Sequence, residues 1–314
     1  MQIFPNITKY FCTFMLCMIG FIPALAQDTI PLWPKDELPN SKGITLQDSI
    51  QNDRIYKIKY PRMHTFVPAK EENTGAAVLI FPGGGYDHLT YDLGGFQLAK
   101  WFNTIGVSAF VVNYRLPNSP DLKKRQIAPL QDAQRAMRLV RSRAKEWQID
   151  PERVGVLGTS SGGHVASTIG THREDVSSIG DSLDGYSYKP NFMVMVSPVI
   201  TMGKYTHKGS LRNLLGLKPK DKMMQKYSNE LQVTKQTPPA FLVHAANDQA
   251  VPVQNSLQFY QALLKHGQNR SSIHIFPQGG HEIGLVGNPG STKQWTALCQ
   301  AWLNELGFIR SDQN

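Results

Sequence analysis

Gly158-Thr159-Ser160-Ser161-Gly162 sets a serine between two glycines, after an apolar run at residues 154–157 and at the head of a helical pattern. This is the G-x-S-x-G spacing of a nucleophile elbow. A strand that turns at once into a helix leaves room only for small residues two positions before and after the nucleophile. The tight turn lifts the serine hydroxyl above the sheet. Beneath it, the free N–H groups of the helix N-terminus favour negative charge. The glycines centre the motif on Ser160, so Ser161 is the following residue and its backbone N–H is expected to serve an oxyanion hole.

Pro82-Gly83-Gly84-Gly85-Tyr86 follows the apolar run at residues 76–81. In a sheet of this kind, the loop after that strand donates N–H groups to the tetrahedral oxyanion. Glycines suit it because the backbone itself must approach the substrate. A phosphate-cradling loop would need a following Lys and Ser/Thr, and neither is present. Gly84 and Gly85 are therefore the expected donors.

A serine needs a base, and the base needs an orienting carboxylate. After this elbow the chain order is serine, acid, histidine. Of Asp175, Asp181, Asp184, Asp221 and Asp248, only Asp248 sits just past an apolar run, residues 241–245. Downstream lie His266, His274 and His281. His266, beside Gly267, belongs to a helix end, and His274 lies inside a strand pattern. His281 follows Gly279-Gly280 in a loop, so elimination gives Ser160, Asp248 and His281. Glu282 is a rival acid, but its adjacency to His281 points it elsewhere. His164 and His172 read as packing or capping residues, and no cluster has metal-ligand spacing. Lys123, Lys124, Arg125 and the series Arg135, Arg138, Arg141, Arg143 and Lys145 read as a solvated face. Without a recognition motif they do not argue for nucleic acid.

The elements that must hold these groups are legible as an alternation. Continuous apolar runs at 76–81, 107–112, 154–157, 192–199, 241–245 and 273–276 suit strands buried on both faces. Between them are amphipathic helices. One starts near Pro129 and carries Leu130, Ala133, Met137, Val140 and Ala144; another runs from Val253 to Leu264 and ends at Gly267. Strand–helix alternation predicts an α/β fold, a mostly parallel sheet with helices on both faces. Residues 27–314 read as one domain. Within it, residues 27–74 are a polar, irregular lead-in that hugs the surface and carries a strand or two, and 201–237 are a Lys- and Met-rich helical excursion over the sheet's edge.

The first residues belong elsewhere. Lys9 is followed by an apolar stretch over residues 10–22 and then Pro23-Ala24-Leu25-Ala26. That is the pattern of a secretory signal peptide over residues 1–26. The stretch is shorter than the roughly 20 apolar residues a membrane span needs. An exported protein, periplasmic or secreted and without stable membrane insertion, is expected. Removal of the segment takes Cys12, Cys17 and Lys9 with it. Cys299 then remains alone in an apolar helical stretch, as a core residue rather than half of a disulfide. The formal charge of +9 falls by only one, and reads as surface character.

Several strings together resemble the bacterial secreted α/β-hydrolases of the acetylxylan esterase and feruloyl-esterase-like group. They include Phe81-Pro-Gly-Gly-Gly-Tyr86, Val112-Asn-Tyr-Arg-Leu116, residues 133–144, Ile149-Asp-Pro-Glu-Arg-Val154 and Gly162-Gly-His-Val-Ala-Ser167. Asn213-Leu-Leu-Gly216, residues 237–244, Val251-Pro252, Asn255-Ser256 and Gly279-Gly-His281 continue the resemblance, which covers residues 32–308. Three positions depart from the family's pattern. Ser161 replaces a smaller residue, Asn247-Asp248 keeps only the second of two acids, and Glu282-Ile283 stands where Gly-Phe is common. The resemblance implies an α/β-hydrolase fold and deacetylation of plant-type polysaccharides or oligosaccharides such as acetylated xylan, with no cofactor. Tyr86 and Tyr114 are expected to meet the acylated carbohydrate. A prolyl-oligopeptidase-type serine peptidase shares the triad order, but about 50 residues before the sheet cannot supply its propeller. A non-catalytic carbohydrate-binding protein on this scaffold would be expected to have lost Ser160 or His281, and both are present.

Overall fold

The computed structural model describes residues 28–35 and 37–309. The expected signal peptide, residues 1–26, lies outside them. The strands, in chain order, are β1 (Thr29–Pro31), β2 (Ser49–Gln51), β3 (Arg54–Tyr56), β4 (Arg62–Phe66), β5 (Ala77–Phe81), β6 (Leu89–Thr90), β7 (Ser108–Asn113), β8 (Val154–Thr159), β9 (Met193–Val196), β10 (Ala240–Ala245) and β11 (Ser272–Phe276). Eight of them form one sheet in the order β1-β4-β7-β5-β8-β9-β10-β11, and β2-β3-β6 form a small second sheet. From β7 to β11 all pairings are parallel. The six apolar runs are these six parallel strands, as the α/β-hydrolase resemblance implies. The irregular lead-in adds two more strands, since β4 pairs antiparallel with β7 and β1 with β4.

The helices are α1 (Gln97–Thr104), α2 (Ala128–Ser142), α3 (Ser161–Thr171), α4 (Lys208–Leu215), α5 (Asp221–Lys226), α6 (Gln254–Lys265) and α7 (Trp295–Glu305). Alternation along β5 shows how they are held. Leu79 and Phe81 face one layer with Met137 and Val140 of α2, Val165 of α3 and Phe259 of α6. Val78 and Ile80 face the other, with Phe102 of α1 and Trp295, Trp302 and Leu303 of α7. Cys299 is fully buried in this second layer, and burial pushes its thiol pKa well up, so it is a packing residue.

Two expectations need correction. The basic residues of α2 are not a solvated face: Arg135, Arg138 and Arg141 are all buried. Arg135 pairs with Asp181 at 2.5 Å, Arg138 with Asp175 at 2.5 Å and Asp184 at 3.3 Å. Arg141 donates to the carbonyls of Pro151 and Ser187. These arginines bind the polar segment between α3 and β9 to the helix, and their partners are too far along the chain for local pattern to reveal. The excursion also sits differently. It contains α4 and α5 as expected, but α4 packs against residues 125–127, and Asn213 donates to the Gly85 carbonyl at 2.9 Å. It therefore covers the loops at the carboxyl ends of the strands, rather than the sheet's edge.

The lead-in is fastened through a buried ion pair. Arg115 and Asp132 are 2.7 Å apart and both essentially inaccessible. Asp132 also accepts from Trp33 Nε1 at 2.8 Å and from the Arg115 backbone N–H at 2.8 Å. Removing one partner of such a pair strands the other charge in the interior. Asp132→Ala is expected to destabilise the fold by about 3–5 kcal/mol, measured by urea unfolding at neutral pH. A change within error would mean that Arg115 finds other compensation.

Candidate active site

The register of β5 on β8 sets Phe81 opposite Gly158, so the loop after β5 and the turn after β8 leave the sheet side by side. Ser160 occupies that turn between β8 and α3, with φ 52° and ψ −122°. A non-glycine residue at positive φ is strained, and such strain concentrates at functional positions. The need for small flanking residues is visible in atoms. A Cβ on Gly158 would lie 2.1 Å from the Gly162 carbonyl oxygen, and one on Gly162 would lie 1.9 Å from that of Phe81.

His281, in the loop after β11, reaches Ser160: Nε2 is 2.9 Å from Oγ. Its Nδ1 lies 2.7 Å from Asp248 Oδ2, in the loop after β10. A carboxylate only accepts, so Nδ1 carries the hydrogen and Nε2 is free to accept from the serine hydroxyl. Asp248 Oδ1 accepts the backbone N–H groups of Ala250 and Val251 at 2.8 and 2.9 Å. Burial alone would raise the Asp248 pKa. Hydrogen bonds from His244, His281 and the Val251 N–H outweigh it and hold the carboxyl well below the usual range. Asn247, the departure beside it, has a visible role: its Oδ1 accepts the Gly280 N–H at 2.9 Å, tying the acid loop to the histidine loop. Glu282 is exposed and makes no bond to His281, while Ile283 is buried in the core. His266 caps α6 and His274 lies in β11, as expected.

The oxyanion loop can be accounted for donor by donor. Gly83 N–H donates to Thr159 Oγ1 at 3.0 Å, and Tyr86 N–H to Ser161 Oγ at 3.2 Å. Among the described residues, the N–H groups of Gly84 and Gly85 between them have no protein acceptor, nor does that of Ser161 at the start of α3. These are the three expected donors. The Ser161 hydroxyl fastens the oxyanion loop to the elbow, which an alanine could not do. Gly84 has φ 127°, and a Cβ there would lie 2.1 Å from the His88 carbonyl oxygen. Gly84→Ala must therefore displace the loop. It is expected to lower kcat by about 10²–10³-fold, the cost of losing one oxyanion donor, in steady-state ester hydrolysis. Unchanged kcat would remove Gly84 from the hole.

Tyr86 and Tyr114, expected to meet the substrate, are instead interior residues with almost no exposed surface. The Tyr86 hydroxyl is 2.8 Å from His164 Nδ1, and that of Tyr114 donates to the Pro82 carbonyl at 2.9 Å. Their closeness in sequence to the glycine loop and β7 was misleading, because the side chains turn beneath the loop and support it from below. His164 packs as expected. Its Nε2 donates to the Tyr227 carbonyl at 2.7 Å, and burial lowers its pKa to about 4.

Sequence reasoning missed two histidines. His207 stands at the N-terminus of α4, where its Nδ1 accepts the Ser210 N–H at 3.2 Å. Its Cε1 lies 3.5 Å from where a Cβ on Gly85 would be. Burial, followed by repulsion from His281, lowers its pKa, and Asp248 opposes the shift. It thus borders both the oxyanion loop and the triad. Only the return of the excursion over Gly85 brings it there, and no local signal announces that. His244, at the end of β10, is fully buried against Asp248, with Nε2 3.1 Å from Oδ2. Its spacing of four from Asp248, across a strand end, was the available signal. No group of His, Cys, Asp and Glu that could hold a metal occurs among the described residues, and no helix there is long and apolar enough to cross a membrane.

The chain resembles known proteins over most of its length. The model of the family described as BD-FAE matches residues 63–263. An acetylxylan esterase of Xylanibacter ruminicola is 38% identical over 229 residues, which are 71% of this chain and 44% of that protein. An endo-1,4-beta-xylanase B of Butyrivibrio fibrisolvens is 30% identical over 290 residues, 87% of this chain and 44% of that protein. The chain thus spans less than half the length of these curated relatives. Among solved structures, an acetyl ester-xyloside bifunctional hydrolase from Caldicellulosiruptor lactoaceticus superposes with a TM-score of 0.75 at 38% identity, covering 93% of this chain and 100% of that one.

Proposed function

The chain belongs to the BD-FAE family, and from that premise we propose that it is a serine-type carboxylic-ester hydrolase that removes acetyl or other small acyl groups from plant-type polysaccharides or oligosaccharides such as acetylated xylan. The observation that carries the chemistry is the continuous chain of hydrogen bonds from Ser160 through His281 to Asp248 at 2.9 and 2.7 Å. Ser160 Oγ attacks the ester carbonyl as His281 Nε2 takes its proton. The N–H groups of Gly84, Gly85 and Ser161 receive the charge that develops on the carbonyl oxygen. His281 then returns the proton to the leaving alcohol. Water, activated by the same imidazole, cleaves the acyl-enzyme, and Asp248 holds the ring in the required tautomer throughout. The residues present supply nucleophile, base, acid and oxyanion donors.

The substrate class rests on the relatives, named for acetylxylan, xylan and acetyl ester-xyloside hydrolysis. The N-terminal pattern over residues 1–26 supports export to the periplasm or beyond, where such polysaccharides are met. Acetate release from a panel of acetylated polysaccharides and oligosaccharides tests the reading, with aminoacyl-proline amides as the competing substrates of a peptidase. Acetate from xylan-type substrates and no amide cleavage is the expected result. Amide cleavage without acetate release would overturn it.

A further inference from the structure

His244 lies outside the Ser160–His281–Asp248 chain, yet it makes the fourth hydrogen bond to the carboxylate that orients the base. Asp248 has two oxygens and four directed donors. Oδ1 takes the Ala250 and Val251 N–H groups; Oδ2 takes His281 Nδ1 at 2.7 Å and His244 Nε2 at 3.1 Å. The carboxylate is therefore saturated, and its orientation is fixed from four sides.

The tautomer of His244 follows from its partners. Nε2 lies 3.1 Å from Asp248 Oδ2 and 3.0 Å from the Val251 carbonyl oxygen, and both of these can only accept. Nε2 must carry a hydrogen, shared between them. On the other side of the ring, Nδ1 is 2.8 Å from the hydroxyl of Ser256 on α6, whose O–H can donate to it. Ring, carboxylate and serine hydroxyl are all buried. A polar network in the interior persists only when its members are satisfied. This one satisfies its members by running from α6 through β10 to the acid loop.

We propose that His244, oriented by Ser256, is a positioning residue for the reaction. It aims Asp248 Oδ2 at His281 Nδ1 and takes a share of the carboxylate's charge. The inference rests on the triad reading above. Two effects follow, and packing alone would give neither. With one lone pair of Oδ2 engaged by His244, Asp248 can turn its other lone pair only toward His281, so His281 Nε2 stays in line with Ser160. A carboxylate relieved of the His244 bond also holds protonated His281 more tightly, so the acid limb of the pH profile moves to higher pH. Among the described residues, His207 on α4 also acts on this pair, and the variants below leave it in place.

The test compares His244→Leu, His244→Gln and Ser256→Ala in hydrolysis of 4-nitrophenyl acetate between about pH 5 and 9, with activity expressed per folded enzyme from far-UV circular dichroism. Glutamine places an amide N–H near the position of Nε2; leucine has none. His244→Leu is expected to lower kcat by about 10- to 100-fold with KM unchanged, as a small misplacement of a catalytic group does. It should also move the acid limb of the pH profile to higher pH. His244→Gln should restore both to near wild type, and Ser256→Ala should show a weaker form of the leucine effect. Wild-type kcat and pH profile in folded His244→Leu would overturn the proposal, as would equal losses in the leucine and glutamine variants. Should leucine fail to fold, Ser256→Ala with an unmoved acid limb and kcat would do the same. Failure of the triad reading itself would show separately, as activity that survives Ser160→Ala.

Discussion

Replacing Ser160 with alanine is expected to lower kcat for acetyl-ester hydrolysis by on the order of 10⁴–10⁶-fold, while the protein folds as before. The size follows from what remains. Without the hydroxyl no acyl-enzyme forms, and His281 has no proton to accept at 2.9 Å. The oxyanion donors still bind a carbonyl and still favour its polarised form, so some rate enhancement over water persists. Folding should be spared because the serine hydroxyl bonds only His281 among the described residues. The backbone turn is held by neighbouring groups, with Ser160 N–H donating to the Val196 carbonyl at 3.1 Å. Initial rates of acetate release by the variant, with its melting temperature alongside, check both halves. A variant with wild-type kcat would remove the nucleophile from the mechanism.

Asp248→Asn is the second large effect, and its direction follows from hydrogen-bond sense. The Ala250 and Val251 N–H groups both point at Oδ1, so an asparagine must keep its carbonyl oxygen there. Its amide N–H₂ then takes the place of Oδ2 and faces His281 Nδ1 and His244 Nε2. Two donors cannot share that contact, so His281 moves its hydrogen to Nε2. It then presents a donor to Ser160 where an acceptor is needed. A fall in kcat of about 10⁴-fold is expected from this wrong tautomer alone, with substrate binding little changed. Steady-state kinetics near neutral pH measure it. A drop of only a few fold would mean that Asp248 orients His281 without fixing its tautomer.

The parts of the protein that were legible in sequence share a cause. Each is specified by residues within a few positions of one another, or by the chain order of a strand–helix series. The elbow around Ser160, the glycine loop and the six buried runs are of this kind, and Asp248 and His281 followed from their places after strands. What escaped depends on partners far along the chain. Arg135, Arg138 and Arg141 look like an exposed basic stripe until the segment carrying Asp175, Asp181 and Asp184 folds over them. That the lead-in carries a strand or two is legible in sequence, but which residues form them is set by distant pairing, β1 on β4 and β4 on β7, antiparallel at the sheet's edge. Tyr86 and Tyr114 were placed by nearness in sequence, whereas the turn of the loop sends both inward. His207 reaches the site because Asn213 anchors its helix to Gly85.

The same distances decide how the departures from the family's pattern are tolerated. Ser161 gains a bond to the Tyr86 N–H, Asn247 gains one to the Gly280 N–H, and Ile283 is absorbed by the core. The first two changes thus support loops of the site, and all three leave the Ser160–His281–Asp248 hydrogen bonds in place.

The central claim, that Ser160 is the nucleophile of an ester hydrolase, is tested most directly by reacting the protein with a fluorophosphonate and locating the adduct by peptide mass spectrometry while acetyl-esterase activity is followed. One adduct on Ser160, accumulating in step with the loss of activity, is the predicted result. An adduct on another residue, or full activity with Ser160 fully modified, would contradict it.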